Sequence, residues 1–293
     1  MKLTAIIVSR NDNYGGHLNE RATYALNSAI ETYDEVFYVD WNSDNHSLIY
    51  DIKDNLLLKG NLKHIAIEPS IASILTNYDP HAQKCCEVLA RNIAIKRATG
   101  DYIVSTNIDI IQPKREDIIK LIKEKGTTDF FTTVSRREVE WEYIKKFQGG
   151  DYNFANWSAF RDDAYKTSVP RNKLESTTPG DEYSIINCCG DFQLASKDVW
   201  HSIKGFEEDL IYPLYSDTNV QMKAKLNGYD LTGQFTPPLF HINHGSKGWG
   251  GGGFAEGINK KANDITKAIS KQQESRNSED WGFSNIDIEY ETF

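Results

Sequence analysis

Along the first 135 residues, short apolar, β-branched runs that stop at a polar residue alternate with stretches of helical periodicity. This alternation constrains the fold more than any other feature, because strands separated by helices must lie parallel in one sheet. Residues 3–9 read as a buried strand and run into the polar turn Ser9 to Gly16. Leu18, Ala22, Ala25, Leu26, Ala29 and Ile30 then fall at helical spacing across 18–32. A second strand covers 35–41, with Asp40 at its polar end, and a third covers 63–67. The spacing predicts a helix over 84–98, closed by Gly100, and a fourth strand over 102–106 that leads into Asn107-Ile108-Asp109. A charged amphipathic helix follows over 114–125, between Pro113 and Gly126, and a fifth strand over 129–134.

Beyond residue 136 the rhythm is lost. Residues 136–184 are aromatic and polar and read as a substrate-binding insertion. Order returns with a strand near 190–194, helices near 196–203 and 217–227, and a late strand over 239–243. Gly248-Trp249-Gly250-Gly251-Gly252-Gly253 precedes a polar tail read as helical. The division expected is a main domain over 1–245, split at 135 into a nucleotide-binding and an acceptor-binding half, and a tail over 246–293. No repeat or low-complexity linker interrupts it.

Composition narrows the partners. The chain has 293 residues and a net charge of −9, with no basic run beyond Arg136-Arg137 and Lys145-Lys146. Nucleic acid is excluded, since phosphate-backbone binding needs a basic footprint. An acidic protein that holds a diphosphate needs a cation between them. The four cysteines form two adjacent pairs, Cys85-Cys86 and Cys188-Cys189, without zinc-type spacing. Reduced thiols are expected, with a bridge between the pairs left open. The apolar run at the N-terminus is too short for a signal peptide, and no stretch approaches the ~20 apolar residues of a membrane span. A soluble, cytoplasmic protein is the expectation.

Ligands of parallel sheets sit beyond the carboxyl ends of the strands. Three such ends carry polar clusters here: Ser9-Arg10-Asn11-Asp12, Asp40 to Ser43 with Asn42, and Asn107 to Asp109. Alternation in an extended chain puts Asn107 and Asp109 on one side, where their oxygens can hold a divalent cation. The order Ala90-Arg91-Asn92, Gly100-Asp101, strand, Asn107-Ile108-Asp109 resembles family 2 glycosyltransferases of the GT-A fold. Gly205-Phe206-Glu207-Glu208 and Ser216-Asp217-Thr218-Asn219, ending at Gly228-Tyr229, extend the likeness over about residues 3–245.

The resemblance implies a Rossmann-like α/β domain that uses a nucleotide-sugar donor, UDP-linked in the first instance, Mn²⁺ or Mg²⁺, and a glycan or other hydroxyl acceptor. It implies that Ser9 and Asp40 meet the nucleoside, with Arg10, Asn11 and Asn42 beside them. Arg91 would approach the diphosphate, and Asn107, Ile108 and Asp109 would line the ribose, metal and diphosphate. Asp217 would be the general base of an inverting transfer, with retention left open. Asp191 and Phe192 would line the sugar pocket, Asp191 serving as base if Asp217 does not.

Three departures matter. Asn107 stands where the family has Asp, so one charge is missing from the metal site. Ser216 and Asn219 replace carboxylates around Asp217. The expected compensation is a late histidine ligand, His244 or His241. Trp249 reads as a lid ring, and Trp141, Tyr143, Tyr152, Phe154 and Trp157 as stacking rings for an acceptor sugar. Two other readings stay open: a sugar-1-phosphate nucleotidyltransferase, although a Gly-rich basic loop is missing after the first strand, and a non-catalytic sugar-binding protein on the same fold.

Overall fold

The structure is a computed structural model; it describes residues 1–79, 82–148, 157–170, 190–212, 215–244, 264 and 276–293. In chain order the elements are β1 (Leu3–Ser9), α1 (Leu18–Thr32), β2 (Glu35–Trp41), α2 (Ile49–Ile52), β3 (Leu62–Ile67), α3 (Pro69–Leu75), α4 (Glu87–Arg97) and β4 (Tyr102–Asn107). There follow β5 (Ile110–Ile111), α5 (Arg115–Lys125), β6 (Phe130–Glu140), α6 (Trp141–Gln148), α7 (Trp157–Thr167) and β7 (Val169–Pro170). The second half continues with β8 (Phe192–Ser196), α8 (Lys197–Ser202), α9 (Ser216–Leu226), β9 (Asp230–Asn243) and β10 (Glu291–Thr292).

One sheet runs β10-β3-β2-β1-β4-β8-β6-β9-β5, with β7 on β6. Strands β3, β2, β1 and β4 pair in parallel, as the alternation requires. Every residue of β1 and β2 is buried, the mark of strands covered on both faces. Period-two alternation sorts β1 between two cores. Ala5 and Ile7 pack against α1 and α5, whereas Ile6 and Val8 pack against α4 and α8.

Two strands exceed the sequence reading. β6 continues to Glu140 instead of stopping at residue 134, and β9 begins at Asp230 instead of 239. They pair in parallel along their lengths, with an irregularity between Val134 and Arg136. Pro237 and Pro238 lie in the part of β9 opposite that irregularity, between the registered residues Gln234 and Leu239. Proline lacks the N–H that a ladder needs, so a strand carrying two of them does not read as one from sequence.

The tail also differs at its end. Residues 276–293 return to the N-terminal half of the sheet, where β10 pairs antiparallel with β3. Trp281 joins the α4 core, and Arg97 donates to the carbonyls of Gly282, Phe283 and Ile286. Asn92 bridges the halves: its amide donates to the Phe206 carbonyl at 2.8 Å and to Glu208 at 3.0 Å, and its oxygen accepts from the Phe206 N–H at 2.8 Å. The side chain is fully buried. An unsatisfied buried polar group costs roughly 1–3 kcal/mol. Asn92→Ala should therefore lower the unfolding free energy by more than about 2 kcal/mol in urea denaturation. A loss below about 0.5 kcal/mol would contradict this role.

Candidate functional site

The carboxyl end of β4 meets the end of β9 through β5. Ile110 pairs with His241, and the Asp109 carbonyl accepts from the Ile242 N–H at 2.9 Å. This pairing brings a residue near 109 and a residue near 241 together, although 132 positions separate Asp109 from His241. His244 follows directly after β9 and turns back to the same place. Its Nε2 lies 3.1 Å from Asp109 Oδ2, and His241 Nε2 lies 3.5 Å from the same oxygen. One ligand atom from each of Asp109, His241 and His244 falls within 4.8 Å of the others. One late histidine, His244 or His241, was expected beside Asp109; the structure brings both there, one from the strand and one from just past it.

Arg21 completes the cluster, and no sequence argument found it. Its guanidinium is 1% exposed and pairs with Asp109 Oδ2 at 3.2 Å. It also donates to the carbonyls of Gly16 and Tyr14, so it pins the loop after β1 onto Asp109. A charged residue among Leu18, Ala22 and Ala25 on the inward face of α1 was the available signal. Burial alone would raise the Asp109 carboxyl, but His241, His244 and Arg21 outweigh it and hold it well below the ordinary carboxylate range. Burial likewise opposes charge on His241, yet Asp109 and Glu138 lift its pKa to about 9.

Two ligand-type atoms remain unpaired in this cluster. Asp109 Oδ1 and His244 Nδ1 are buried without a hydrogen-bond partner. Buried polar atoms in native proteins are nearly always satisfied, so each of these calls for a partner that the side chains do not supply. Gly15 makes the closeness possible. A Cβ there would stand 2.4 Å from His244 Nδ1, and its φ is +70°. Gly15→Ala should push the His244 ring away from Asp109, read as a shift of its imidazole resonances by NMR. Unchanged resonances would show that the closeness of Gly15 does not set the place of His244.

The side-chain bonds of Asn107 run to Arg91 and Asp191. Its oxygen accepts from Arg91 Nη2 at 2.5 Å, and its amide donates to Asp191 Oδ1 at 2.7 Å. Arg91 is buried and also bonds Ser105, the Thr106 carbonyl and Glu87. Its guanidinium therefore orients Asn107. Asp191 is 1% exposed, and its other oxygen pairs with Arg136 at 2.6 Å. Phe192 and Ile108 are core residues, packed in one cluster with Val104 and Leu194.

Asp217 sits in the first turn of α9. Its carboxylate accepts from the backbone N–H groups of Gly190 at 3.0 Å and Thr218 at 2.8 Å. Burial pushes its pKa up, and the negative charge of Asp191 pushes it further. A Cβ on Gly190 would lie 2.7 Å from Asp217 Cβ, so the chain before β8 and the start of α9 are in tight contact. This brings Asp217 close to Asp191.

At the other strand ends, Ser9 bonds Tyr38 at 2.7 Å and Tyr38 bonds Asp40 at 3.0 Å. Asp40 also accepts from Ser43 and from the Leu48 N–H, so its carboxylate holds the loop after β2. Burial raises its pKa against those bonds. Arg10 donates to the Asn42 carbonyl and pairs with Asp12 and Asp44. Asn11 bonds Ser43 and Asp51, and Asn42 donates to the Lys84 carbonyl. These residues form one rim joining the loops after β1 and β2 to the start of α4. Trp141 stacks on His17 at 5.2 Å, near a concavity lined by Gly15, Arg21, Asn243 and His244. Tyr143 packs on Phe160. Tyr152, Phe154, Trp249, Cys188 and Cys189 lie outside the described residues, as do the side-chain contacts of Trp157. Among the described residues, no helix is long and apolar enough to cross a membrane.

No family model matches the sequence, and no curated protein matches it. Solved structures do match. TarS 1–349 from S. aureus aligns over 95% of this chain and 67% of its own, at TM-score 0.56 and 16% identity. The same protein in complex with UDP-GlcNAc aligns at 0.56 and 15%, covering 95% of this chain and 68% of its own. The mannosyltransferase PcManGT from Pyrobaculum calidifontis, in complex with GDP-Man and Mn²⁺, aligns over 85% of this chain and 58% of its own, at 0.50 and 15%. With its mixed sheet, parallel at the core and covered on both faces, the chain has the GT-A glycosyltransferase fold.

Proposed function

We propose that this protein is a metal-dependent glycosyltransferase that moves a sugar from a nucleotide-sugar donor to an acceptor hydroxyl. The observation that carries the reading is the convergence of Asp109, His241 and His244, with two unpaired buried ligand atoms, at the carboxyl end of the central sheet. Ligands of open α/β sheets bind at that end. The structural neighbours support the donor class, because TarS is solved with UDP-GlcNAc and PcManGT with GDP-Man.

The donor set fits a transition metal. Two imidazoles and one carboxylate suit Mn²⁺ better than Mg²⁺, which prefers an all-oxygen shell. The neighbour with Mn²⁺ supports the same choice. Asp109, His241 and His244 would hold the ion, which when bound offsets the negative charge that develops on the departing nucleoside diphosphate. The missing carboxylate at Asn107 is made good by the histidines. Asn107 itself, held by Arg91, is directed toward the sugar-side carboxylate Asp191.

Asp217 is the general base in this reading. Burial and the neighbouring charge of Asp191 raise its pKa, which makes it a stronger proton acceptor than an ordinary Asp. Each oxygen accepts one backbone N–H, which leaves lone pairs for an acceptor hydroxyl. Asp191 is the weaker choice, since it is 1% exposed and paired with the Arg136 guanidinium. It is better suited to orient donor-sugar hydroxyls through its remaining lone pairs. A base on the face opposite the leaving group gives inversion. Analysis of the product anomer by NMR tests this: inversion is expected, and retention would remove Asp217 from its role. UDP is taken as the carrier and would stabilise the protein against heat in the presence of Mn²⁺. A cytoplasmic location completes the reading, tested by fractionation of cells expressing the full chain.

A further inference from the structure

Glu138, beside His241, joins both parts of the site. Its Oε2 lies 2.6 Å from His241 Nδ1, and its Oε1 accepts from Arg136 Nε at 2.9 Å. Arg136 reaches on to Asp191 at 2.6 Å. The row Asp191, Arg136, Glu138, His241, Asp109 thus crosses the carboxyl end of the sheet through β8, β6, β9 and the β4–β5 turn. Strand register enforces the central step, because Glu138 pairs with His241 directly across β6 and β9. Arg136 and Glu138 sit two apart on β6, so their side chains share a face. Both are largely buried, at 13% and 12% exposed.

We infer that Glu138, clamped by Arg136, is the positioning residue that presents His241 to the metal centre. An imidazole can give a metal only one nitrogen. A carboxylate on Nδ1 keeps the proton there, frees Nε2 on the side of Asp109, and stops the ring from turning about its χ2. Arg136 holds Glu138 in place and carries the same constraint to Asp191. The inference rests on the metal-centre reading above and adds a residue that the resemblance did not supply. Its sequence signal was faint: a Glu two positions after Arg136 in a segment that read as an irregular insertion.

The test is calorimetric titration of Mn²⁺ into the full chain, alone and with saturating UDP. It uses wild type, Glu138→Gln, Glu138→Ala, His241→Ala and the His241→Ala/Glu138→Ala pair. Glu138→Gln keeps shape and packing but has one acceptor for two donors, so it must release Arg136 or His241, or donate to His241 Nδ1 and move the ring proton to Nε2. Both Glu138 variants should weaken Mn²⁺ by roughly 10–100-fold. In the His241→Ala background, Glu138→Ala should cost less than about twofold more, because the residue acts through that ring. Wild-type affinity in both folded Glu138 variants overturns the inference and leaves the metal centre standing. So does an equal loss with and without His241, which is the result of a merely structural Glu. Absence of Mn²⁺ binding in wild type, with or without UDP, overturns the metal centre and this inference together.

Discussion

Asp217→Asn is expected to lower kcat by roughly 10²–10⁴-fold, the usual contribution of a positioned general base. Donor affinity should stay within about threefold, because the amide keeps the size of the side chain and can still accept from the Gly190 or Thr218 N–H. The split between kcat and binding is what identifies the base. A variant that loses donor affinity in proportion to turnover would make Asp217 a binding residue or a simple brace for α9. The pH profile adds a second reading. Burial and the charge of Asp191 raise the Asp217 pKa, so the acid limb of kcat/KM should lie above the ordinary aspartate range. Asp191→Asn removes the neighbouring charge and should move that limb to lower pH. A limb unmoved by this change would mean that another group titrates.

Asp109→Ala is expected to have the other large effect, and through a different step. It removes the one carboxylate of the metal cluster and leaves Arg21 and His241 as buried cations without their shared counter-ion. Mn²⁺ binding should fall below detection, and turnover should drop by at least about 10³-fold. Stability changes with it. Breaking a buried ion pair by removing one partner costs roughly 3–5 kcal/mol. Asp109→Asn is therefore the cleaner variant, since the amide oxygen can still accept from Arg21. If Asp109→Asn folds at wild-type stability and turns over normally without added metal, the cluster is a structural ion-pair network.

How much of this was legible in the sequence depends on the range of the contact. Strands β1 to β4 announce themselves because each is a short apolar run next to an amphipathic helix, which is local information. The Asp109 station was visible for the same reason. The partnership of Asp109 with His241 and His244 was visible only as an argument from missing charge, since the sequence could not show that β5 pairs with β9. Arg21, Glu138 and Arg136 were invisible as site residues. Arg21 lies inside a helix that reads well without it. Glu138 and Arg136 lie in a strand whose partner, β9, is disguised by Pro237 and Pro238.

Placement also changes the meaning of residues that the resemblance singled out. Arg91 and Asp40 were expected to touch the donor. Arg91 donates to Glu87, Ser105, Thr106 and Asn107, and Asp40 accepts from Ser43, Leu48 and Tyr38. Both brace neighbouring backbone and side chains at the strand ends, and direct contact with a donor remains a proposal for each. A strand end marks where a ligand binds, whereas the side chain found there can be scaffold for the next residue along.

The most direct test of the proposed activity is release of nucleoside diphosphate from a panel of nucleotide sugars, with UDP- and GDP-linked donors included. It is followed in the full chain with Mn²⁺, with EDTA, and with Mn²⁺ restored after EDTA. The account predicts release from at least one donor, its loss in EDTA and its return with Mn²⁺. Release that persists in EDTA, or no release from any donor in the presence of Mn²⁺ and a hydroxyl acceptor mixture, would contradict it.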